Sequence, residues 1–372
     1  MNSTRKRLFQ CVALLAVVVV SENFAPAVAD FRARQADAVL ASFNAGRIPG
    51  LAVLVLQDGQ VAYEQGYGVT DLHSLHPIGE HTNFRLASVT KQFTAMAIML
   101  LVHDGKIKYD DHLTDIFPEF PGYGRTITIR NLLNHTSGLQ DYEDLMPPQA
   151  ASEKLQQISD KEVLDLLKHQ TTTKFQPGTH WQYSNSGYVI LGLVVQKVSG
   201  QPFRNFLHDR IFAPLHMDST VLYEKGKNEV IHRAYGHTKT EAGWQQTDQS
   251  STSATQGDGG VYSSLADLAK WDGALRKHTL LSKAELRPAV TPVNVPGVEE
   301  PDGKPAQYGF GWFLNPYKDQ VRMWHYGETI GFRTAIERFT ADNLTIIVLA
   351  NRADVDANGL ALKLADIYLP EK

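Results

Sequence analysis

Ser88-Val89-Thr90-Lys91 sets a hydroxyl and an amine three positions apart, and on a helix such positions share one face. A serine hydroxyl is a poor nucleophile at neutral pH and needs a base within hydrogen-bond reach. A lysine serves only where burial or positive neighbours keep it partly neutral. The start of a helix also offers the serine's own N–H as one half of an oxyanion hole. The spacing by itself carries little weight, because Ser3-Thr4-Arg5-Lys6 repeats it and a helix cap followed by a solvated lysine reads the same way.

Two further tripeptides supply what this pair lacks. Tyr183-Ser184-Asn185 follows the Pro177-Gly178 turn. A tyrosinate there could take the nucleophile's proton and pass it to a leaving group, while the Asn185 amide orients Lys91 and a substrate carbonyl. The plainer alternative is a helix cap at Ser184 or Asn185 with Tyr183 in the core. His325-Tyr326-Gly327 falls at the end of an expected strand. Gly327 would let the backbone approach a ligand, and the Glu328 amide would be the second oxyanion donor. His325 could position the tyrosine hydroxyl or, charged, meet a substrate carboxylate.

The patterning around these residues alternates between β and α. Positions 30–44 suit an amphipathic helix, and the apolar run 51–56, the turn 57–59 and the run 61–67 suit a hairpin. Helical periods at 94–102, 160–168 and 188–198 dominate the middle, and the Ser88 helix is expected to end at Asp104 before Gly105. Five prolines within 288–305 mark an irregular loop. Strands are expected at 308–314, 321–325, 332–339 and 344–350, with a closing helix at 359–368. The simplest architecture is α+β: both chain ends build one antiparallel sheet with covering helices (30–87 and 288–372), the middle (88–287) forms a helical lobe, and a cleft lies between them.

Arg5, Lys6 and Arg7 precede an apolar run at 12–20 and the small residues Ala27-Val28-Ala29, the pattern of an export signal over 1–29. The run is too short for a membrane span, so a periplasmic or secreted mature chain from Asp30 is expected. The single cysteine, Cys11, would leave with the signal, which excludes disulfides, thiol catalysis and Cys-ligated zinc from the mature chain. Removing three positive charges and one negative moves the net charge from −4 to −6, the wrong sign for a nucleic-acid binder.

Ser88-x-x-Lys91, Tyr183-x-Asn185 and His325-x-Gly327, in this order, resemble the three active-site motifs of the serine β-lactamase-related family, which includes class C β-lactamases, DD-peptidases, D-aminopeptidases and esterases. Further blocks resemble that family: Phe84 through Lys91, Leu132-Leu133-Asn134-His135-Thr136-Ser137-Gly138-Leu139, Phe175-Gln176-Pro177-Gly178, Gly259-Gly260-Val261-Tyr262-Ser263-Ser264 and Tyr308-Gly309-Phe310-Gly311-Trp312. The resemblance covers 31–368 and implies a β-lactamase/transpeptidase-like fold and a serine hydrolase that needs no metal or organic cofactor. By matching position, Ser88 is acylated, Lys91 and Tyr183 share acid and base work, Asn185 orients, and the amides of Ser88 and Glu328 hold the oxyanion. Family members commonly carry lysine where His325 stands. The exchange points away from carboxylate-bearing β-lactams and D-Ala-D-Ala and toward esters, amides or N-terminal D-residues, unless Arg333 restores the charge. The alternative is a non-catalytic penicillin-binding or sensor protein of the same fold.

No Glu-x-x-Leu-Asn, Gly-x-Ser-x-Gly, His-Glu-x-x-His or Gly-x-x-x-x-Gly-Lys-[Ser/Thr] occurs, so these sequences support no class A deacylation glutamate, α/β-hydrolase, metallopeptidase or P-loop. His135, Thr136 and Ser137 are read as a structural segment beside the cleft, and Gly257-Asp258-Gly259-Gly260 as a phosphate-loop lookalike. Trp181, Trp244 and Tyr142 are expected to line the cleft, and a small molecule or peptide is the expected partner.

Overall fold

A computed structural model describes residues 24–147 and 155–370; most of the expected export segment, 1–23, lies outside them. The main sheet has five antiparallel strands drawn from both chain ends. They are β1 (Leu51–Gln57), β2 (Gln60–Tyr67), β8 (Arg322–Thr329), β9 (Phe332–Phe339) and β10 (Leu344–Ala350), in the order β2-β1-β10-β9-β8. β1 up to Leu56 and β10 apart from Thr345 read as apolar runs because both their faces are covered. Ala52, Leu54 and Leu56 pack toward the central helices, whereas Leu51, Val53 and Val55 pack toward the terminal ones. At the hairpin between β1 and β2, Asp58 (φ 52°) and Gly59 (φ 75°) take the left-handed turn that such loops favour.

The terminal helices Phe24–Leu40 and Ala357–Tyr368 cover the outer face. The first begins before the expected position 30 and gives way at Leu40 to a 3-10 turn, Ala41–Phe43. On the inner face lies the helix Lys91–His103, eleven of whose residues, Lys91 through Leu101, are buried, so it shows little of the amphipathic pattern of a surface helix. The helices Asp160–Lys168 and Asn185–Ser199 match the expected periods, the latter closed by Gly200 at φ 75°. Among the described residues no helix is long and apolar enough to cross a membrane.

Three features depart from expectation. The middle is not purely helical: β3 (Phe84–Arg85), β4 (Val221–Leu222) and β7 (Val261–Ser263) form a small sheet, and β5 (His237–Thr240) pairs with β6 (Gly243–Gln246). Positions 308–314 form no strand. Gly311, at φ 76°, turns the chain back so that Tyr308 bridges Phe313, and its Cα packs on the Lys91 carbonyl, where a Cβ would lie 2.8 Å from the oxygen. β8 runs on to Thr329, because its two-residue turn to β9 lies at Ile330-Gly331, and His325 therefore sits in mid-strand.

One buried side chain ties the chain ends together. Asn351, fully buried, accepts from the Gly50 amide (2.8 Å) and donates to the carbonyls of Val69 (3.1 Å), Thr70 (3.0 Å) and Tyr235 (3.1 Å). Asn351→Leu keeps the volume but leaves the Gly50 amide and the Val69 and Tyr235 carbonyls without their Asn351 partner, whereas the Thr70 carbonyl keeps the Tyr235 amide (2.9 Å); a buried group left unpaired costs about 1–3 kcal/mol. Urea unfolding is expected to show a loss of about 3 kcal/mol or more; a loss under about 1 kcal/mol would contradict this.

Candidate active site

Ser88 and Lys91 straddle a change of helix type. Ser88 lies in the 3-10 turn Ala87–Thr90, and Lys91 opens the α-helix behind it. In a 3-10 turn, positions i and i+3 eclipse, which brings the Lys91 Nζ to 3.0 Å from the Ser88 Oγ. Ala87 holds φ 48°, costly for a residue with a Cβ. Bonds on either side fix it: the Leu86 amide donates to the Val261 carbonyl (2.8 Å) and the Val89 amide to the Leu86 carbonyl (3.2 Å).

The Lys91 side chain is fully buried and makes two further contacts, to Asn185 Oδ1 (2.8 Å) and the Asp258 carbonyl (3.0 Å). Burial pushes its amine down to about 8, against the pull of the Asp258, Asp141 and Glu143 carboxylates. A neutral lysine amine has two hydrogens and one lone pair. Asn185 and Asp258 offer only acceptors and take both hydrogens, which leaves the lone pair facing the serine hydroxyl. The glycine run from Gly257 makes this approach possible: a Cβ on Gly257 would lie 2.1 Å from the Tyr188 carbonyl, and the Gly257 carbonyl accepts from Thr94 Oγ1 (2.6 Å). Asp258 shows no signature in sequence except that its neighbours are glycines.

Asn185 opens the helix Asn185–Ser199, whose N-cap is Ser184. Asp141 fixes it by accepting from the Asn185 amide (2.8 Å), and the Asn185 Nδ2 donates to Glu143 (3.0 Å). Burial raises the carboxyls of both Asp141 and Glu143. The Tyr183 ring lies 4.8 Å from the Lys91 Nζ. Its hydroxyl is buried with no hydrogen-bond partner of normal geometry, and burial drives its proton affinity far up, offset in part by the Ser88 hydroxyl. The resting phenol is therefore neutral, in place of the tyrosinate considered from sequence, and Lys91 is the group with proton affinity in the working range.

Sequence reasoning placed His135 beside the cleft, and the structure shows what it touches. Its ring lies 4.4 Å from that of Tyr183, and its Nδ1 accepts from the Ser184 amide (3.2 Å). Burial holds it neutral. Ser137 is buried, and its Oγ accepts from the Leu139 amide (3.3 Å).

The outer edge of β8 faces Ser88. Trp324 exchanges both of its backbone bonds with Phe313, away from β9. In an antiparallel pair this outward direction recurs every second residue, so the amides of Tyr326 and Glu328 point off the same edge. A Cβ on Gly327 would lie 2.2 Å from the Leu86 carbonyl, 2.4 Å from Thr334 Oγ1 and 3.1 Å from the Ser88 nitrogen. The bare glycine backbone thus lets β8 approach the nucleophile's turn. The Ser88 amide is itself at a helix start, without an intrahelical acceptor.

Other expected residues have surroundings that differ from expectation. His325 is fully buried: its Nδ1 donates to the Tyr326 carbonyl (2.7 Å), and its Nε2 accepts from the Tyr308 hydroxyl (3.2 Å). Burial, with Lys91 adding to it, lowers it to about 3, which favours the neutral ring over the charged form considered from sequence. Arg333 turns toward its own hairpin, its Nη1 donating to the carbonyls of Thr329 (2.7 Å) and Phe332 (2.8 Å) and its Nε lying 3.6 Å from Glu328. Tyr142 does not line open cleft surface; it is fully buried, and its hydroxyl donates to Asp258 Oδ2 (3.0 Å). Trp244 lies under the Arg352 guanidinium (4.5 Å), whereas Trp181 stands 6.3 Å from the Tyr183 ring. Among the described residues no cluster of His, Cys, Asp or Glu is arranged to hold a metal ion.

Known proteins share the sequence pattern and the fold. A family model described as Beta-lactamase matches residues 28–368. Penicillin-binding protein 4* of Bacillus subtilis is 32% identical over 332 residues, 85% of this chain and 71% of that protein. A penicillin-binding protein from Bacillus halodurans superposes with a TM-score of 0.73 at 26% identity, over 89% of this chain and 97% of that one. The D-amino acid amidase of Ochrobactrum anthropi SV3 gives 0.74 at 23% identity, over 92% and 98%.

A fluorophosphonate probe is expected to add its mass at Ser88. Ser88→Ala should abolish the adduct, Ser137→Ala should leave it, and Lys91→Met should slow it by about 10²–10⁴-fold. Because the base form of Lys91 is required, the labelling rate should rise with pH up to about 8 and then level. Peptide mapping to another residue, or a rate flat between pH 6 and 9, would contradict the assignment.

Proposed function

The chain belongs to the Beta-lactamase family, a family of serine hydrolases, and on that premise we propose that it is an exported enzyme whose Ser88 is acylated by ester or amide substrates lacking a carboxylate beside the scissile bond. The observation that carries this is the Lys91 amine, buried and held by two acceptors so that its free valence meets the Ser88 hydroxyl.

In the proposed sequence the Ser88 Oγ attacks the carbonyl carbon while its proton passes to the Lys91 Nζ. The developing oxyanion lies between the amides of Ser88 and Glu328, preorganised donors of the kind worth about 3–4 kcal/mol each. The neutral Tyr183 phenol gives its proton to the leaving alcohol or amine and recovers one from the Lys91 ammonium. The acyl-serine forms as the old acyl bond breaks. Water then attacks the acyl carbon, losing its proton to the same Lys91 and Tyr183 pair, and the proton returns to Ser88 as the acid leaves. Asn185 keeps Lys91 and a substrate carbonyl aligned, while His325 holds the β8 edge through Tyr326 and Tyr308.

Selectivity follows from charge. The two side chains that sequence offered for a substrate carboxylate are poorly placed for it, His325 because burial favours its neutral form and Arg333 because its Nη1 is turned to its own hairpin. Asp141, Glu143 and Asp258 surround the Lys91 amine, a field that repels an anion and favours a neutral or aminated acyl group. Gly327 and Glu328 form the substrate-facing edge. Periplasm or medium is the proposed location, after cleavage near Ala29.

A panel of p-nitrophenyl esters, D-amino-acid amides, acyl-D-Ala-D-Ala and a chromogenic cephalosporin tests this reading. Turnover of an ester or an amide is expected to exceed that of acyl-D-Ala-D-Ala by at least tenfold in kcat/KM; the reverse order would overturn the selectivity. His325→Ala is expected to change the ratio between substrates more than the acylation rate, and an equal loss on all of them would make it part of the chemistry.

A further inference from the structure

A second cavity, of about 850 Å³, lies on a different face of the catalytic helix and contains none of Ser88, Lys91, Tyr183, Asn185 or His325. Gln92, Ala95, Met96 and Met99 line it at helical spacing, and Trp271, Phe310 and Trp312 complete an apolar floor. Its volume is in the range of small-molecule sites, about 300–1,000 Å³. Val290 and Val321, 47% and 60% exposed, form part of the lining where it meets solvent.

The charged lining is one-sided: Arg276, Lys283, Arg322 and Arg338 against Asp272 alone, in a chain whose net charge is −4. Two of these cations are occupied, Arg338 by Asp272 (2.8 Å) and Arg322 by Glu300 (3.3 Å) and Glu337 (3.6 Å). Among the described residues Arg276 and Lys283 form no ion pair, and the Arg276 Nε is buried without a hydrogen-bond partner. The Arg276 guanidinium lies against Gly59, where a side chain would displace it. Gln92 adds a second free donor. Its Oε1 accepts from the Trp271 indole (3.0 Å), which fixes the amide, and its Nε2 is buried and unpartnered.

We propose that this cavity binds a long-chain carboxylate, with the hydrocarbon on the Met96, Met99 and Trp271 floor and the head group on Arg276 and Lys283. An apolar floor, unspent cations and a missing counter-anion together fit an anionic amphiphile and disfavour a cationic or wholly polar ligand. The site is separate from the acyl-transfer chemistry and lies one residue from Lys91 along the same helix, through Gln92.

Dodecanoate titrated calorimetrically into protein already labelled at Ser88 with fluorophosphonate, so that the catalytic cleft is blocked, tests the proposal. Saturable one-site binding is expected, with the same affinity in unlabelled protein. Arg276→Glu should weaken dodecanoate at least tenfold and leave dodecanol within about twofold, and Met96→Trp, which fills the floor, should remove both. Full Ser88 labelling of each variant shows that it is folded. Absence of saturable binding to the parent protein, equal dodecanoate affinity in Arg276→Glu, or loss of binding on Ser88 labelling would each overturn it.

Discussion

An amine withdrawn from water has to find acceptors for its hydrogens or give up its charge, and Lys91 does some of both. Its environment is built from three distant stretches: the 3-10 turn that presents Ser88, the helix start that presents Asn185, and the glycine run that brings the Asp258 carbonyl inside. Desolvation favours the neutral amine and three carboxylates oppose it, so the balance falls near physiological pH and not at either extreme. A drier site would leave a weaker base, and a more acidic one would hold the lysine permanently charged.

The same economy governs the backbone around it. The edge of β8 is free to offer an amide because its parity is fixed by the Phe313 and Trp324 pair, and because Gly327 has no side chain to keep the edge from Ser88. Thr334 donates to the Leu86 carbonyl (2.8 Å) and ties that edge to the nucleophile's turn. The unfavourable φ of Ala87 survives because bonds to β7 and within the turn determine it from both sides. Around Tyr183, a shell with His135, Trp181 and His325 fixes the phenol by ring contacts, so the group expected to carry the proton has little freedom to leave its station.

Much of this is legible in sequence because it depends on local pattern. β9 and β10 coincide with the runs read from composition, and both faces of β10 are apolar since both are covered. The Tyr183 tripeptide is legible too, because a helix must begin with a capping residue and Ser184 supplies it. What escapes is whatever depends on a long-range contact. Residues 308–314 alternate like a strand, but Gly311 folds back against Lys91, a neighbour more than 200 positions away. Asp258 acts through a carbonyl, which no side-chain pattern reports. The neutral state of Tyr183 and His325 follows from burial that only packing reveals, and Tyr142 and Trp244, both plausible cleft aromatics by type, are used up by Asp258 and Arg352.

The whole account rests on the protonation of one side chain, which can be read directly. In protein labelled with ¹³C at the lysine ε-carbons, with Lys91→Met used to assign the resonance, the Lys91 signal should titrate with a midpoint near pH 8, well apart from the solvated lysines. A midpoint at or above pH 10 would mean that the amine stays charged beside Ser88, and the lysine could not be its base.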